Sequence, residues 1–360
     1  VGLKGSVLLS LLLYCVYVGG FTLAALFADV EALTWLFFLA GSACGGLAAG
    51  ALWTAQGGYF ATTATLLARA RGETREAVTG DLSGKFAFVY LIFEVGSKLA
   101  FSALQQLKVS VWIIGLIYLV VAALATLGMS RVYQLSSQSP AVSILAKLGA
   151  VTSLWSDPLI WLLAPTNLTF GFCAAFMNGY VNANFAKKEL GADVVGYLAA
   201  ITAATAAVLA RVYGPLSAKT GKGCVICFGA LCFLCIPLCL FLLNCCGGWG
   251  WWLIALYLLQ GSGRAVYEST NRAMFSDFFS GAKTEGAFGN CMFQSSLSFA
   301  ISFFLQTVLS SDTLAAIVLV LAISTPLSYI SALALQSRRD RKARSELLNP
   351  EGEAVRALGA

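Results

Sequence analysis

Four charged side chains stand inside stretches that are otherwise apolar. Glu94 and Lys98 lie four residues apart within the run 86–104, and Arg264 and Glu268 repeat that spacing within 251–273. On a helix, residues i and i+4 share a face. Each acid can therefore neutralise its base and lower the cost of burying both. Ionisable groups in such a setting mark an ion or solute path by default; the alternative is a self-neutralised pair that only stabilises the bundle. Arg264 lies roughly 20 Å from the Trp251 end of its run at 1.5 Å per residue, too deep to reach solvent easily. It could hold an anionic solute or a group on another helix. Amides accompany the charges: Gln56, Asn178, Asn271 and Gln294, with Asn167, Thr169 and Asn182 beside them. All can hydrogen-bond across a cavity.

Other chemistries are poorly supported. The sequence has no histidine, the commonest general base and metal ligand, so no Ser-His-Asp arrangement can form. Cys224, Cys227, Cys232, Cys235 and Cys239 suggest a zinc site by spacing. They fall mostly within one apolar run, however, and that spacing scatters thiols around a helix. Neither a metal nor another cofactor is expected, nor an enzymatic activity. Asn167-Leu168-Thr169 has the form of a glycosylation sequon but falls within an apolar span. The outcome for Cys245-Cys246, acylation or oxidation, is left open by the sequence.

The elements that must position these residues are membrane helices. The chain is 59% hydrophobic and 11% charged, with mean hydropathy +0.81, against about 25% charged residues in soluble domains. A bilayer-crossing helix needs roughly 20 apolar residues, and ten such runs can be marked: 5–28, 32–59, 86–104, 111–129, 158–180, 194–213, 225–243, 251–273, 286–309 and 313–335. If the first loop is cytoplasmic, 18 of the 23 Lys and Arg residues, Arg272 among them, fall on the inner side, and only Lys108, Lys187 and Lys188 on the outer. The positive-inside rule then places both termini in the cytoplasm, in a plasma or internal membrane. Tryptophans cluster at both levels, as interfacial belts do. Trp53 then reads either as an inner interface anchor or as part of a gate or docking surface with Gln56 and Tyr59. The bilayer is the expected environment, and nucleic acid is excluded because the basic residues track the inner face.

Two halves are legible. The stretch 86–106 matches 286–306 at a constant offset: Ala87, Phe88, Phe93, Ala100, Ser102 and Gln106 recur as Ala287, Phe288, Phe293, Ala300, Ser302 and Gln306, with Glu94 opposite Gln294. Parallel repeats of this kind build many transporters. The first, fourth, seventh and tenth runs are almost wholly apolar and are expected to face lipid. The expected divisions are a half-bundle at 1–129, a linker at 130–157, a second half-bundle at 158–335 and a basic tail at 336–360. Within the linker, 140–155 carries a helical apolar stripe that could lie along the inner membrane surface. Gly41, Gly45, Gly46 and Gly50 suit close helix packing.

After the sixth run comes Gly214-Pro215-Leu216-Ser217-Ala218-Lys219-Thr220-Gly221-Lys222. This resembles the signature loop of the major facilitator superfamily, Gly-x-Leu-x-Asp-Arg-x-Gly-Arg, in which glycines permit a tight turn and cations hold the inner face. Ala218 replaces the signature Asp and with it the ionic latch made there. Gly2-Leu3-Lys4-Gly5 is similar to the end of the same loop in the other half. That likeness implies an all-α bundle of twelve helices in two pseudo-symmetric halves, about ten of them present here, and an N-terminus shortened by two. Trp53-Thr54-Ala55-Gln56-Gly57-Gly58-Tyr59 is similar to the Trp-x-Ala-Gln-x-x-Tyr signature of the Unc-ninety-three-like family. Phe88–Phe93, Ala265, Val266, Asn271, Ala273, Ala287 and Gln294–Leu297 continue the likeness. It implies a multi-pass protein that regulates an ion channel or the trafficking of another membrane protein, such as a channel or receptor. The alternative is a secondary transporter of a small anion or ion working by alternating access.

Overall fold

In lipid, an apolar run can satisfy its own backbone groups only by coiling into a helix. The computed structural model, which describes residues 2–135, 144–242 and 248–348, is built that way. Among the described residues, nine helical segments are long and apolar enough to cross a membrane. They are α1 (Leu3–Leu26), α2 (Glu31–Arg71), α3 (Arg75–Gln106), α4 (Val111–Ser130), a path Pro158–Leu190, α9 (Ala192–Thr220), α10 (Lys222–Leu242), α13 (Lys283–Leu305) and α14 (Ser311–Leu348). The path Pro158–Leu190 comprises α6 (Pro158–Leu162), α7 (Ala164–Ala175), a π-helical stretch Phe176–Ala186 and α8 (Lys187–Leu190). A tenth path joins α11 (Ile254–Val266) to α12 (Arg272–Phe278) through a π turn at Tyr267–Asn271. All ten expected runs are therefore helical.

Several boundaries differ from expectation, each for a local reason. The second run does not stop at Tyr59: α2 continues to Arg71 and ends only where Gly72 adopts φ +66°. At 41 residues it is roughly 60 Å long, about twice the hydrocarbon thickness, so its last turns project beyond the bilayer. After a short turn α3 starts at Arg75, capped by the Thr74 hydroxyl. The signature stretch after the sixth run is not a loop for most of its length. Gly214 to Thr220 form the last turns of α9, and the chain reverses at Gly221, with φ +85°. Residues 336–348, expected as tail, extend α14; 349–360 lie outside the described residues, as do 140–143 and Cys245-Cys246.

The stripe in the linker also behaves differently. Its helix α5 (Ile144–Ser153) packs on α13. Asn290 donates to the Val151 carbonyl at 2.8 Å and accepts from the Trp155 indole at 2.8 Å. Gly286 leaves room for the Ala150 carbonyl. At the end of this linker Asp157 caps α6 and accepts two hydrogen bonds from Arg339 of α14, at 3.0 and 3.2 Å. Partial burial pushes its carboxyl up, but Arg339, the Leu159 N–H and Lys283 outweigh that and hold it below the usual carboxylate range.

Helix α1 packs against both α2 and α4, and α3 crosses to lie along α9. In α4 only Ile114 and Thr126 are buried, as expected for a lipid-facing helix. The seventh run departs from that expectation. One flank of α10 (Ile226, Gly229, Ala230, Phe233 and Ile236) is buried, because Gly229 admits the side chain of Val266. Glycine also sets the α3–α9 crossing. A Cβ on Gly84 would stand 2.6 Å from the Ala210 carbonyl oxygen and 3.0 Å from the Gly214 Cα, and one on Gly214 would stand 2.9 Å from the Gly80 carbonyl oxygen. Gly41 approaches Gly20 in the same way, whereas a Cβ on Gly46 or Gly50 of that expected packing stripe would meet nothing within 4 Å.

Such contacts against backbone cannot be relieved by a rotamer change. Gly84→Val is expected to destabilise the bundle by about 1–3 kcal/mol, read as a lowered unfolding midpoint in detergent. Gly96→Ala, where a Cβ meets nothing within 4 Å, should leave the midpoint unchanged or slightly raised.

Candidate functional site

The four charged residues singled out above form one chain, which a fifth, Arg272, extends. Glu94 on α3 accepts both terminal nitrogens of Arg264 on α11, Nη1 at 2.8 Å and Nη2 at 2.6 Å, a two-pronged bond between helices of different halves. The Lys98 ammonium stands 2.8 Å from the same carboxylate. Arg264 Nε is 3.7 Å from Glu268 Oε1, and Glu268 Oε2 accepts from Arg272 Nη2 at 3.1 Å. Arg272 then reaches back across the seam: its Nη1 donates to Gln56 Oε1 at 3.0 Å, and its guanidinium lies over the Trp53 ring at 4.5 Å. The order Lys98, Glu94, Arg264, Glu268, Arg272 alternates in sign.

Local backbone geometry makes this alignment possible. Arg264, Glu268 and Arg272 follow at intervals of four, which on an α-helix drift steadily around the axis. The π turn at Tyr267–Asn271 holds more residues per turn and winds part of that drift back. Both Glu268 and Arg272 are 6% exposed.

Arg272 was expected among the cations of the inner face; it lies instead inside the seam. A guanidinium there is tolerated because a carboxylate, an amide and an indole face surround it. The signal was present in the sequence as the third member of the 264, 268, 272 series. Trp53 likewise turns inward to this cation, with Tyr90 edge-on at 5.6 Å, and Ala55 is buried beside it. Tyr59 leaves the group and donates to the Tyr133 carbonyl at 2.8 Å.

The amides form a separate buried cluster. Asn167 donates to Gln294 at 2.7 Å, and Asn271 donates to Asn167 at 2.9 Å. Cys291, not anticipated from the sequence, is 3.2 Å from Asn167 Oδ1. Gln294, the partner of Glu94 in the repeat, thus also faces a polar group of another helix. Asn178 does not join: its side chain is exposed, and its carbonyl accepts from Asn182 at 3.1 Å. Thr169 meets Thr325 at 3.1 Å.

At the basic end of the bundle the halves meet again. Lys222 pairs with Asp277 and donates to the Glu76 carbonyl at 3.0 Å, while Thr79 donates to Asp277 at 3.0 Å. Arg75 donates to the carbonyl and hydroxyl of Ser276 at 2.8 and 3.0 Å. Lys222 was expected as a loop cation; Asp277, Arg75 and Thr79 were not anticipated. Of the remaining signature residues, Leu216 and Lys219 are exposed, while Gly214 and Gly221 serve packing and turn.

A cavity of about 210 Å³ opens beside the charged chain, between Trp53, Phe170, Tyr267, Glu268, Arg272 and Phe299. Four of its ten lining residues, Trp53, Phe170, Tyr267 and Phe299, are aromatic. Phe170 and Tyr267 stack face to face at 3.8 Å, and Tyr267 donates to Ser295 at 2.9 Å. Among the described residues no group of His, Cys, Asp or Glu is arranged to hold a metal ion. The cysteines described are free thiols, with Cys224 and Cys227 exposed and Cys232 buried.

Comparison with known proteins agrees with this architecture. Residues 168–358 match the family described as Major Facilitator Superfamily. Protein unc-93 homolog A of Bos taurus is 25% identical over 353 residues, covering 86% of this chain and 74% of that protein. The homologue from Danio rerio is 28% identical over 190 residues, covering 50% of this chain but 39% of its own length. Over 92% of this chain and 83% of its own, the crystal structure of the superfamily transporter FucP in the outward conformation superposes with TM-score 0.58 at 15% identity.

Because Glu94 holds two cations, its removal has a sharp consequence. Glu94→Ala would leave Lys98 and Arg264 without their shared carboxylate. It is expected to cost about 2 kcal/mol or more, below the range of roughly 3–5 kcal/mol for a fully buried pair because Glu94 is 25% exposed. Lys98→Ala, removing a side chain 34% exposed, should cost less than about 1 kcal/mol. Unfolding midpoints of the two variants in the same detergent separate these outcomes.

Proposed function

The chain belongs to the major facilitator superfamily as an Unc-93-like member, and from that premise we propose that it is a secondary transporter of a small anion or ion, working by alternating access. The observation that carries this reading is the Glu94–Arg264 pair. It joins the two halves within the membrane-spanning region, where hydrocarbon packing alone would serve a static scaffold. An ion pair gains little net free energy over a well-packed apolar contact. When the halves separate its partners are rehydrated, so opening costs little, whereas a purely apolar seam resists opening in proportion to its area. Charged groups in such a place belong to a moving interface.

The basic end supports the same reading. By the positive-inside rule it is the cytoplasmic end, with both termini there. Lys222, Asp277, Thr79, Arg75 and Ser276 close it. The present arrangement is then the one sealed on the cytoplasmic side. The signature Asp absent at Ala218 is replaced functionally by Asp277, which reaches Lys222 from α12. Catalysis has no place in this reading.

The rival reading, regulation of a channel or of another membrane protein's trafficking, would use the Trp53–Tyr59 segment as a docking surface. Trp53 and Gln56 give their contacts to Arg272, which weakens that reading without removing other faces from consideration.

The two readings part in one experiment. Full-length protein in proteoliposomes is expected to take up at least one solute from a panel of labelled inorganic and organic ions, with Arg264→Ala lowering the rate at least tenfold. Folding of the variant is checked by its elution profile. No uptake by the parent protein above empty liposomes, together with stable co-purification of a channel or receptor by both parent and variant, would favour the regulator instead.

A further inference from the structure

The charge chain is not neutral. Lys98, Arg264 and Arg272 supply three positive charges, Glu94 and Glu268 two negative ones. The chain thus carries a net charge of +1, spread between an end at Lys98 that is 34% exposed and an end at Arg272 that is buried, where incomplete compensation is costly. At the buried end Arg272 contacts one carboxylate, where Arg264 contacts two. Glu94 faces both Lys98 and Arg264, while Arg272 has only a share of Glu268, with a neutral amide and an indole for its other contacts. Arg272 is also 94% buried by its 6% exposure, and its Nε has no hydrogen-bond partner. A guanidinium offers five N–H donors; Gln56 and Glu268 each engage one of its terminal nitrogens.

The adjoining cavity says what kind of molecule could bring the missing charge. We propose that it binds a compact aromatic or similarly apolar monocarboxylate, its carboxylate on Arg272 and its body against Phe299 and the stacked Phe170–Tyr267 pair. This rests on the transporter reading above and names its substrate class. A monoanion brings the cluster to zero, whereas a dicarboxylate or phosphate dianion would overshoot to net negative beside Glu268, which lines the same cavity. Glu268 itself does not repel a monoanion strongly, because Arg264 and Arg272 flank its two oxygens at 3.7 and 3.1 Å. A sugar is disfavoured by the walls: Tyr267 already donates to Ser295, and Ser295 to the Met292 carbonyl. That leaves the Ser296 hydroxyl as the chief polar group of the lining besides the charged pair. A volume of about 210 Å³ is below the ~300 Å³ at which drug-sized pockets begin and suits a single ring with its carboxylate. An ion such as chloride or acetate would leave the aromatic walls unfilled.

Benzoate is the probe, measured by calorimetric titration and by thermal shift on full-length protein in detergent. Benzamide, acetate and phthalate test the charge, the ring and the single valence. The expected result is saturable benzoate binding, at least tenfold tighter than that of each of the other three. Ser296→Phe, which adds bulk to the cavity lining and leaves the charges in place, should weaken benzoate at least tenfold. Arg272→Gln should abolish the preference of benzoate over benzamide. Should Arg272→Gln not fold, the Ser296→Phe result and the parent's preferences decide the matter. Equal binding of benzoate and benzamide, or of benzoate and acetate, by the parent protein overturns the proposal, as does unaltered benzoate binding in Ser296→Phe. Failure of the underlying reading looks different: benzoate binds with the stated preferences but is not carried into proteoliposomes. Conversely, uptake of some other solute without benzoate binding leaves transport standing and removes this substrate class.

Discussion

A charge surrounded by hydrocarbon must find an opposite charge or an aligned dipole, and in this protein that requirement decides which helices touch. Arg264 and Arg272 lie on the α11–α12 path, and neither can be satisfied fully from its own helix. Glu268 serves both, but with one oxygen each, and other terminal nitrogens reach across to Glu94 and Gln56. The α3 and α2 partners therefore have to approach α11 and α12 at fixed heights. Close packing of α3 on α9 through Gly80, Gly84 and Gly214 brings Glu94 to that height, so backbone contact and ion pairing are two consequences of one crossing. Neither feature would position the carboxylate alone. Without the glycines the helices could not come near, and without the charges nothing would select their register, because membrane helices gain little from apolar contact as such.

The halves share a layout but divide the chemistry. At equivalent places of the repeat, Ala87 and Ala287 are both fully buried. Glu94 and Gln294 both meet a polar side chain on another helix, but the first meets a cation of the opposite half and the second an amide of its own. One half therefore carries a polar cluster that stays whole if the halves move apart, and the seam carries the bonds that such a movement would exchange. The basic end repeats this division. Lys222 and Asp277 belong to the same half, and Thr79 and the Glu76 carbonyl are the contacts lent by the other.

Much of the fold was legible because its cause is local. A run of twenty apolar residues has one way to bury its backbone polar groups in lipid, and each of the ten runs is helical as expected. The i,i+4 pairs were legible for the same reason: Glu94–Lys98 and Arg264–Glu268 are contacts along one helix. What the sequence hid were contacts between helices. Nothing in the spacing of Trp53 and Gln56 says that both turn to residue 272, more than two hundred positions away. Nor does Asp277, four residues past the end of its apolar run, announce that it holds Lys222. Arg272 was misplaced at the inner face because a count of basic residues treats every terminal cation as solvated, and this one is enclosed by an indole, an amide and a carboxylate. The ends of α2 and α9 were placed too early because polar residues that leave the membrane can continue a helix in water, and only Gly72 and Gly221, with their positive φ, stop it.

The buried Arg272 guanidinium also accounts for the residues of the tryptophan signature. Arg272 has a carboxylate partner in Glu268, and the Gln56 carbonyl oxygen accepts a second hydrogen bond from it without adding a further negative charge. The Trp53 indole face adds a cation–π attraction to the guanidinium. Gln56 lies three residues after Trp53, on the same helical flank, so one turn of α2 presents both. The small residues between and after them let that turn come close: Ala55 is buried, and a Cβ on Gly57 would strike the Phe288 ring at 2.2 Å. The segment is thus a neutral cradle for a cation, built on one half and closing on the other. A cradle that leaves the charge intact is what the seam requires if that charge is to be answered by something other than the protein itself.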